Sequence, residues 1–160
     1  MTLSLGKEGK NQRFDIALTN PNIFGKLCNS EQYHQKVHMP TVSASYNPEW
    51  NCIVSTWVGS LDKSSTIEFI DKLAELSETH DCKRVINDIR QAENKLSVTE
   101  LFYLPGRVIQ GKFDRTWKRA IVVKEFFDEA LFYEDTATNQ GLRVKIVTSI
   151  EEALAWFDED

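Results

Sequence analysis

Two stretches decide how this chain folds: Arg84-Val85-Ile86-Asn87-Asp88-Ile89 and Ala120-Ile121-Val122-Val123. The first is short and apolar, with Val85, Ile86 and Ile89 spaced as an inner strand. The second is apolar at every position, the pattern of a strand covered on both faces. If both lie in one sheet, everything between and around them has to pack on that sheet.

Between them, the polar stretch Arg90 to Lys95 reads as a loop. A helix then runs from Ser97 to about Gly111, with Pro105 inside it and expected to kink it. Upstream, Ile67, Ile70, Leu73, Ala74 and Leu76 recur at three- and four-residue spacing, which predicts a helix from about Ser64 to His80. Before that helix, Val42, Ala44 and Tyr46 alternate with Ser43 and Ser45, and Asn47-Pro48-Glu49-Trp50-Asn51 carries turn residues. Cys52 to Val58 is β-branched and aromatic and stops at Gly59, so residues 41–58 predict a hairpin.

Downstream, a third helix is expected over Phe126 to Thr136, with Phe126, Ala130 and Tyr133 on one side and Asn139-Gln140-Gly141 as its stop signal. Leu142 to Val147 reads as the last strand. Ile150 to Phe157 reads as the last helix, facing inward through Ala153, Leu154 and Phe157. From Thr41 the order is β-β-α-β-α-β-α-β-α. Strands alternating with helices imply right-handed crossovers and an α/β fold whose sheet is largely parallel beyond the opening hairpin.

Residues 1–40 differ in composition, being rich in Asn, Gln, Lys and Ser. Phe14-Asp15-Ile16-Ala17-Leu18 alternates like a short edge strand, and Asn20-Pro21-Asn22 signals a turn. The region is expected to be an N-terminal extension that packs on the 41–160 domain or stays mobile.

Ser-x-x-Glu occurs at three expected helix starts: Ser65 with Glu68, Ser97 with Glu100, and Ser149 with Glu152. In such a box the serine hydroxyl accepts from the N3 amide and the glutamate reaches back to the N-cap amide. A helix-start serine can also be a phosphorylation site, because the helix N-terminus favours negative charge. Ser97, which follows an inner strand, is the candidate of that kind.

Composition narrows the function classes. A chain of 160 residues suits one domain, with no disulfide or metal needed to hold its core. A formal charge of −5 argues against nucleic acid as a partner. The most basic stretch, Lys112, Arg115, Lys118 and Arg119, reads as a solvated helix end and turn. Cys28, Cys52 and Cys82 are three in number with no C-x-x-C spacing, which argues against a disulfide framework or a zinc ribbon. Cys52 reads as a small core residue, Cys82 as an exposed thiol in a polar turn. No apolar run is long enough to span a bilayer. Met1 to Arg13 is polar without a signal-peptide core, so the expectation is a cytoplasmic protein.

From Trp57 to the C-terminus the chain resembles the SpoIIAA-like family, relatives of the STAS domains. The residues that carry the resemblance are Trp57-Val58-Gly59, Val85-Ile86-Asn87-Asp88, Leu104-Pro105, Arg119-Ala120-Ile121-Val122-Val123, Asn139-Gln140-Gly141-Leu142-Arg143-Val144, and Glu151-Glu152-Ala153-Leu154-Ala155-Trp156-Phe157. The resemblance implies a mixed sheet of four to five strands with helices packed on it, in a module that is often a homodimer. STAS members that act as anti-sigma factor antagonists switch on a serine in an Asp-Ser-Ser-Gly motif after an inner strand. Here Asp88 matches the aspartate, but Ile89 and Arg90 stand where the serines would be, leaving Ser97 as the substitute. The family's kinship with lipid-binding CRAL-TRIO domains implies an apolar ligand as another possibility.

The candidate chemistry is sparse. Asp88 ends an inner strand beside Arg90, at the place where ligands gather in open α/β sheets. With Ser97 and Arg107 these form the candidate ligand-binding set, and Asp88, Arg90 and Arg107 the set a small enzyme would use. His34 and His38 stand four apart, but Met39-Pro40 follows at once and no third metal ligand is evident. His80 at a helix end reads as a dipole cap. No dinucleotide, P-loop or nucleophile-elbow motif occurs, so no cofactor is expected. The aromatics at 102–133 and 156–157 read mostly as core, with a surplus that could line a pocket or a dimer face. Three readings remain open: a non-enzymatic module binding a partner protein or a small apolar ligand, a phospho-regulated STAS-type antagonist, and a small enzyme of unknown reaction.

Overall fold

The computed structural model describes residues 14–17 (backbone), 40–110, 113 and 115–159. His34, His38, Cys28, Lys112 and the Asn20-Pro21-Asn22 turn lie outside them.

Six strands form one mixed sheet in simple sequence order: β1 Phe14–Ala17, β2 Thr41–Asn47, β3 Cys52–Leu61, β4 Arg84–Asn94, β5 Lys118–Val122 and β6 Arg143–Val147. Five of these lie in the region from Thr41 onward, and β1 is the edge strand expected near Phe14. β1–β2 and β2–β3 are antiparallel, and β3 through β6 are parallel. The described residues also form four helices: α1 Lys63–His80, α2 Val98–Gln110, α3 Asp128–Asn139 and α4 Ile150–Phe157. Each parallel strand is added on the same side of the last. Crossovers of one hand then put α1, α2 and α3 on the same face of the sheet.

Two apolar layers result. The larger joins α1–α3 to one sheet face through Phe69, Leu73, Leu101, Ala130 and Tyr133 against Val42, Ile53, Val85, Ile121 and Ile146. The smaller packs Ala153 and Phe157 of α4 on Cys52, Ile86, Ala120, Val122 and Val147 of the opposite face. All five residues of β5 are buried, as the apolar run from Ala120 requires of its second half.

Several boundaries differ from expectation. β3 does not stop at Gly59, and β4 does not become a loop at Arg90. Gly59 takes φ of 94° within β3, and the two strands stay paired out to Leu61 and Asn94. The register shifts between Thr56 and Val58, where Ile89 and Arg90 together oppose Trp57. This bulge lets a polar stretch remain a strand while re-aiming its side chains. α3 starts two residues later than expected and runs to Asn139. There Leu142 N donates to Ala137 O at 3.0 Å and Gly141 takes φ of 87°, the left-handed C-terminal turn that glycine accommodates.

The caps divide. Ser97 and Glu100 form the full reciprocal box, with Glu100 N donating to Ser97 Oγ (3.3 Å) and Ser97 N to Glu100 Oε2 (3.0 Å). At α4, Ser149 Oγ accepts from Glu152 N (3.1 Å), but the Glu152 carboxylate accepts from Thr148 N (2.8 Å). At α1 the cap is Asp62, whose Oδ1 accepts from Ser65 N at 2.9 Å. Ser65 sits inside the first turn, because a carboxylate three residues earlier takes the capping position.

Two surface assignments also change. Cys82 is 2% exposed, not a surface thiol. The chain reverses at Asp81, in the left-handed region at φ 48°, and Cys82 folds back onto the core with its amide bonded to Ser77 O. Lys118 and Arg119, expected in a solvated turn, are the first two residues of β5 and are each 8% exposed.

Candidate ligand-binding cavity

Between the α1–α3 layer and the sheet lies a cavity of about 420 Å³, within the ~300–1,000 Å³ range of small-molecule pockets. Its walls are mostly apolar. Trp57, Leu61, Phe69, Ile70 and Leu73 come from β3 and α1, Leu96, Leu101 and Leu104 from the α2 side, and Ile121, Val123, Ala130 and Ile146 from the far side. Trp57 is held by its indole N–H donating to Ser60 O (3.2 Å) and by a T-shaped contact with Phe69, ring centres 5.2 Å apart.

Strand alternation explains which polar groups reach this space. Ser55, Asn87, Ile121 and Ile146 are register partners across β3–β6 and share the cavity face. Ser55 Oγ donates to Ile86 O (3.3 Å) and lies 3.4 Å from Asn87 Oδ1. One row toward the strand N-termini, Arg119 points the same way and meets α3. Its Nη2 donates to Tyr133 Oη, and its guanidinium carbon lies 5.2 Å from the centre of the Tyr133 ring. Arg119 Nε is buried and has no hydrogen-bond partner among the described residues. Burial pushes the guanidinium down to about 10. At the carboxyl ends of β4 and β5 the cavity has a rim of exposed charges, including Arg90, Glu93, Lys124, Glu125 and Glu129.

The candidate residues named from sequence do not converge. Asp88 shares a row with Val122 and Val147, which pack under α4, so it faces away from the cavity. Its carboxylate is held by its near neighbour: Arg90 donates from Nε (2.9 Å) and the backbone N (3.1 Å) to Oδ1, and from Nη2 (2.7 Å) to Oδ2. The Arg90 side-chain hydrogen bonds hold the Asp88 carboxyl below its ordinary 3.8. Arg90 also reaches the cavity rim. Ser97 is exposed and engaged with Glu100. Arg107 lines a separate cleft of about 120 Å³ between α1 and α2, with Lys63, Ile67 and Tyr103. His80 ends α1 with its ring stacked on Tyr46, centres 4.4 Å apart.

The polar residues that do converge are Ser55, Asn87, Arg119 and Tyr133, a set that no sequence motif marks. The signal available was phase. Reading β5 back two residues puts Arg119 on the Ile121 and Val123 face, and Asn87 shares the Val85 face. No group of three or more His, Cys, Asp or Glu suited to a metal occurs among the described residues, and no described helix is long and apolar enough to cross a membrane. Compared with known proteins, no family model and no curated protein matches the chain.

Proposed function

We propose that this chain is a non-enzymatic binding module whose cavity between the sheet and α1–α3 takes up a small, largely apolar molecule. One observation carries the reading: an apolar-walled space of about 420 Å³ lies under three helices, beside a closely packed apolar cluster. Dense packing is the rule in protein interiors, and an apolar void of this size forfeits contacts on every wall. A ligand restores them. The resemblance to the SpoIIAA-like family, with its lipid-binding kin, supports the same reading. Native mass spectrometry after gentle purification tests it. A retained small molecule that comes off on unfolding is the expected result. A clean apo mass, together with no binding of decanol added to the protein, contradicts it.

The homodimer implied by that resemblance has its own support. Helix α2 exposes Val98, Phe102, Tyr103 and Ile109 (Tyr103 at 66%), a row of large apolar side chains without cover among the described residues. Light scattering of the full chain should give twice the monomer mass, and Phe102→Glu should reduce it to the monomer.

A further inference from the structure

We infer that the cavity selects an amphipathic acid, whose carboxylate is received at its closed end by Arg119 and Tyr133 while its apolar part fills the space toward the rim. This rests on the cavity reading above and names the class of molecule.

Arg119 is a cation in an apolar layer, 8% exposed, and among the described residues its side-chain hydrogen bond and its ring contact are both to Tyr133. A buried charge ordinarily has an opposite charge beside it. Arg119 makes no ion pair with a described residue: the carboxylates lining the cavity, Glu93, Glu125 and Glu129, are exposed on the outer rim. Burial lowers the affinity of the guanidinium for its proton, and no carboxylate among the described residues raises it. The Nε–H is left unpartnered, although a guanidinium presents its N–H groups as a planar fork that fits two carboxylate oxygens. Because the Tyr133 hydroxyl accepts from Arg119, its own proton is free to donate to the same anion.

The placement also sets the ligand's direction. Arg119 lies four residues before Val123, which directly follows β5, roughly 13 Å at strand rise, and the rim begins just beyond Val123. The anionic end is therefore deepest. Leu73, Phe69, Leu101 and Ile121 supply apolar wall in the same cavity. The volume corresponds to roughly fourteen waters at ~30 Å³ each, suited to a medium-chain or compact aromatic monocarboxylate rather than a two-chain lipid.

The test is calorimetric titration of the full chain with decanoate and with decanol, which share a chain and differ in the head. Decanoate should bind roughly tenfold or more tightly than decanol, as a hydrogen-bonded charge pair implies. Arg119→Met should bring the two affinities to within about threefold of each other, with Tyr133→Phe giving an intermediate ratio. If decanol binds as tightly as decanoate to the unaltered chain, acid selection is wrong and the apolar cavity reading stands. If neither binds, both are wrong. Should Arg119→Met not fold, the acid-to-alcohol ratio of the unaltered chain still decides the question.

Discussion

Arg119 on β5 and Tyr133 on α3 face each other between the sheet and the α1–α3 layer, joined by a hydrogen bond from Nη2 to the phenol oxygen and by the ring lying 5.2 Å from the guanidinium carbon. Tyrosine supplies an acceptor and a π-face but no charge. Among the described residues, the cation thus has no opposite charge beside it.

That arrangement costs stability when the cavity holds no anion. Burial pushes the guanidinium down to about 10, a desolvation cost on the order of 3 kcal/mol. Because the folded value is the lower one, the cost is complete at neutral pH and is relieved only as pH rises above about 10. Replacing Arg119 with Met removes the charge while keeping much of the volume. In urea unfolding at pH 7 the ligand-free variant is expected to match or exceed the unaltered protein, by up to about 3 kcal/mol. A loss of roughly 2 kcal/mol or more, as for a core truncation, contradicts this.

Asp88 and Arg90 form a three-contact unit on the other side of the sheet, with Asp88's side chain 12% exposed and Arg90's 43%. The carboxyl is held below its ordinary 3.8, first by Arg90's side-chain bonds. A depressed acid contributes stability above its unfolded value and loses it as pH falls through its folded value. Asp88→Asn should therefore cost about 1 kcal/mol at pH 7, given Arg90's exposure. The difference should hold to about pH 4 and shrink below it. A difference that is the same at pH 2.5 and pH 7 contradicts the assignment.

Cys52 and Cys82 are buried thiols, and burial pushes Cys52 up to about 12 and Cys82 above 9.0. Thiolate is the reactive form, so both should resist iodoacetamide at pH 8 in the folded protein and react on unfolding. Peptide mapping reads each site separately. Stoichiometric labelling of Cys82 under native conditions would restore the surface position that its polar neighbours suggest.

Asp62, not Ser65, caps α1. Asp62→Ala is expected to lower stability by about 1 kcal/mol, read as a shift in urea midpoint at constant slope. An unchanged midpoint contradicts the cap.

The sheet was legible because β4 and β5 carry their burial in sequence: Val85-Ile86 and Ala120 to Val123 leave little choice of partner environment. Helix α4 was legible to the residue, from Ser149 as cap to Phe157. The cavity was not. Lys118 and Arg119 look like surface residues by type, and only pairing with Arg84 and Val85 in the sheet reveals that both are inside. Lys118 is accommodated by backbone carbonyls at the end of α4, including Phe157 O at 3.0 Å, which a one-dimensional pattern does not show. The extension of β4 through Gln91–Asn94 was hidden for a similar reason. Its residues are polar, and the partner strand and the bulge at Ile89 and Arg90 keep them extended.

The most direct measurement is a heteronuclear NMR titration of the full chain with decanoate, following the Trp57 indole and the amides of Leu73, Asn87, Arg119 and Ile121 against those of Val147, Ala153 and Phe157. The first group faces the cavity layer and the second the α4 layer. Saturable shifts concentrated in the first group are predicted. Shifts concentrated in the α4 layer, or none up to the solubility limit, contradict the account.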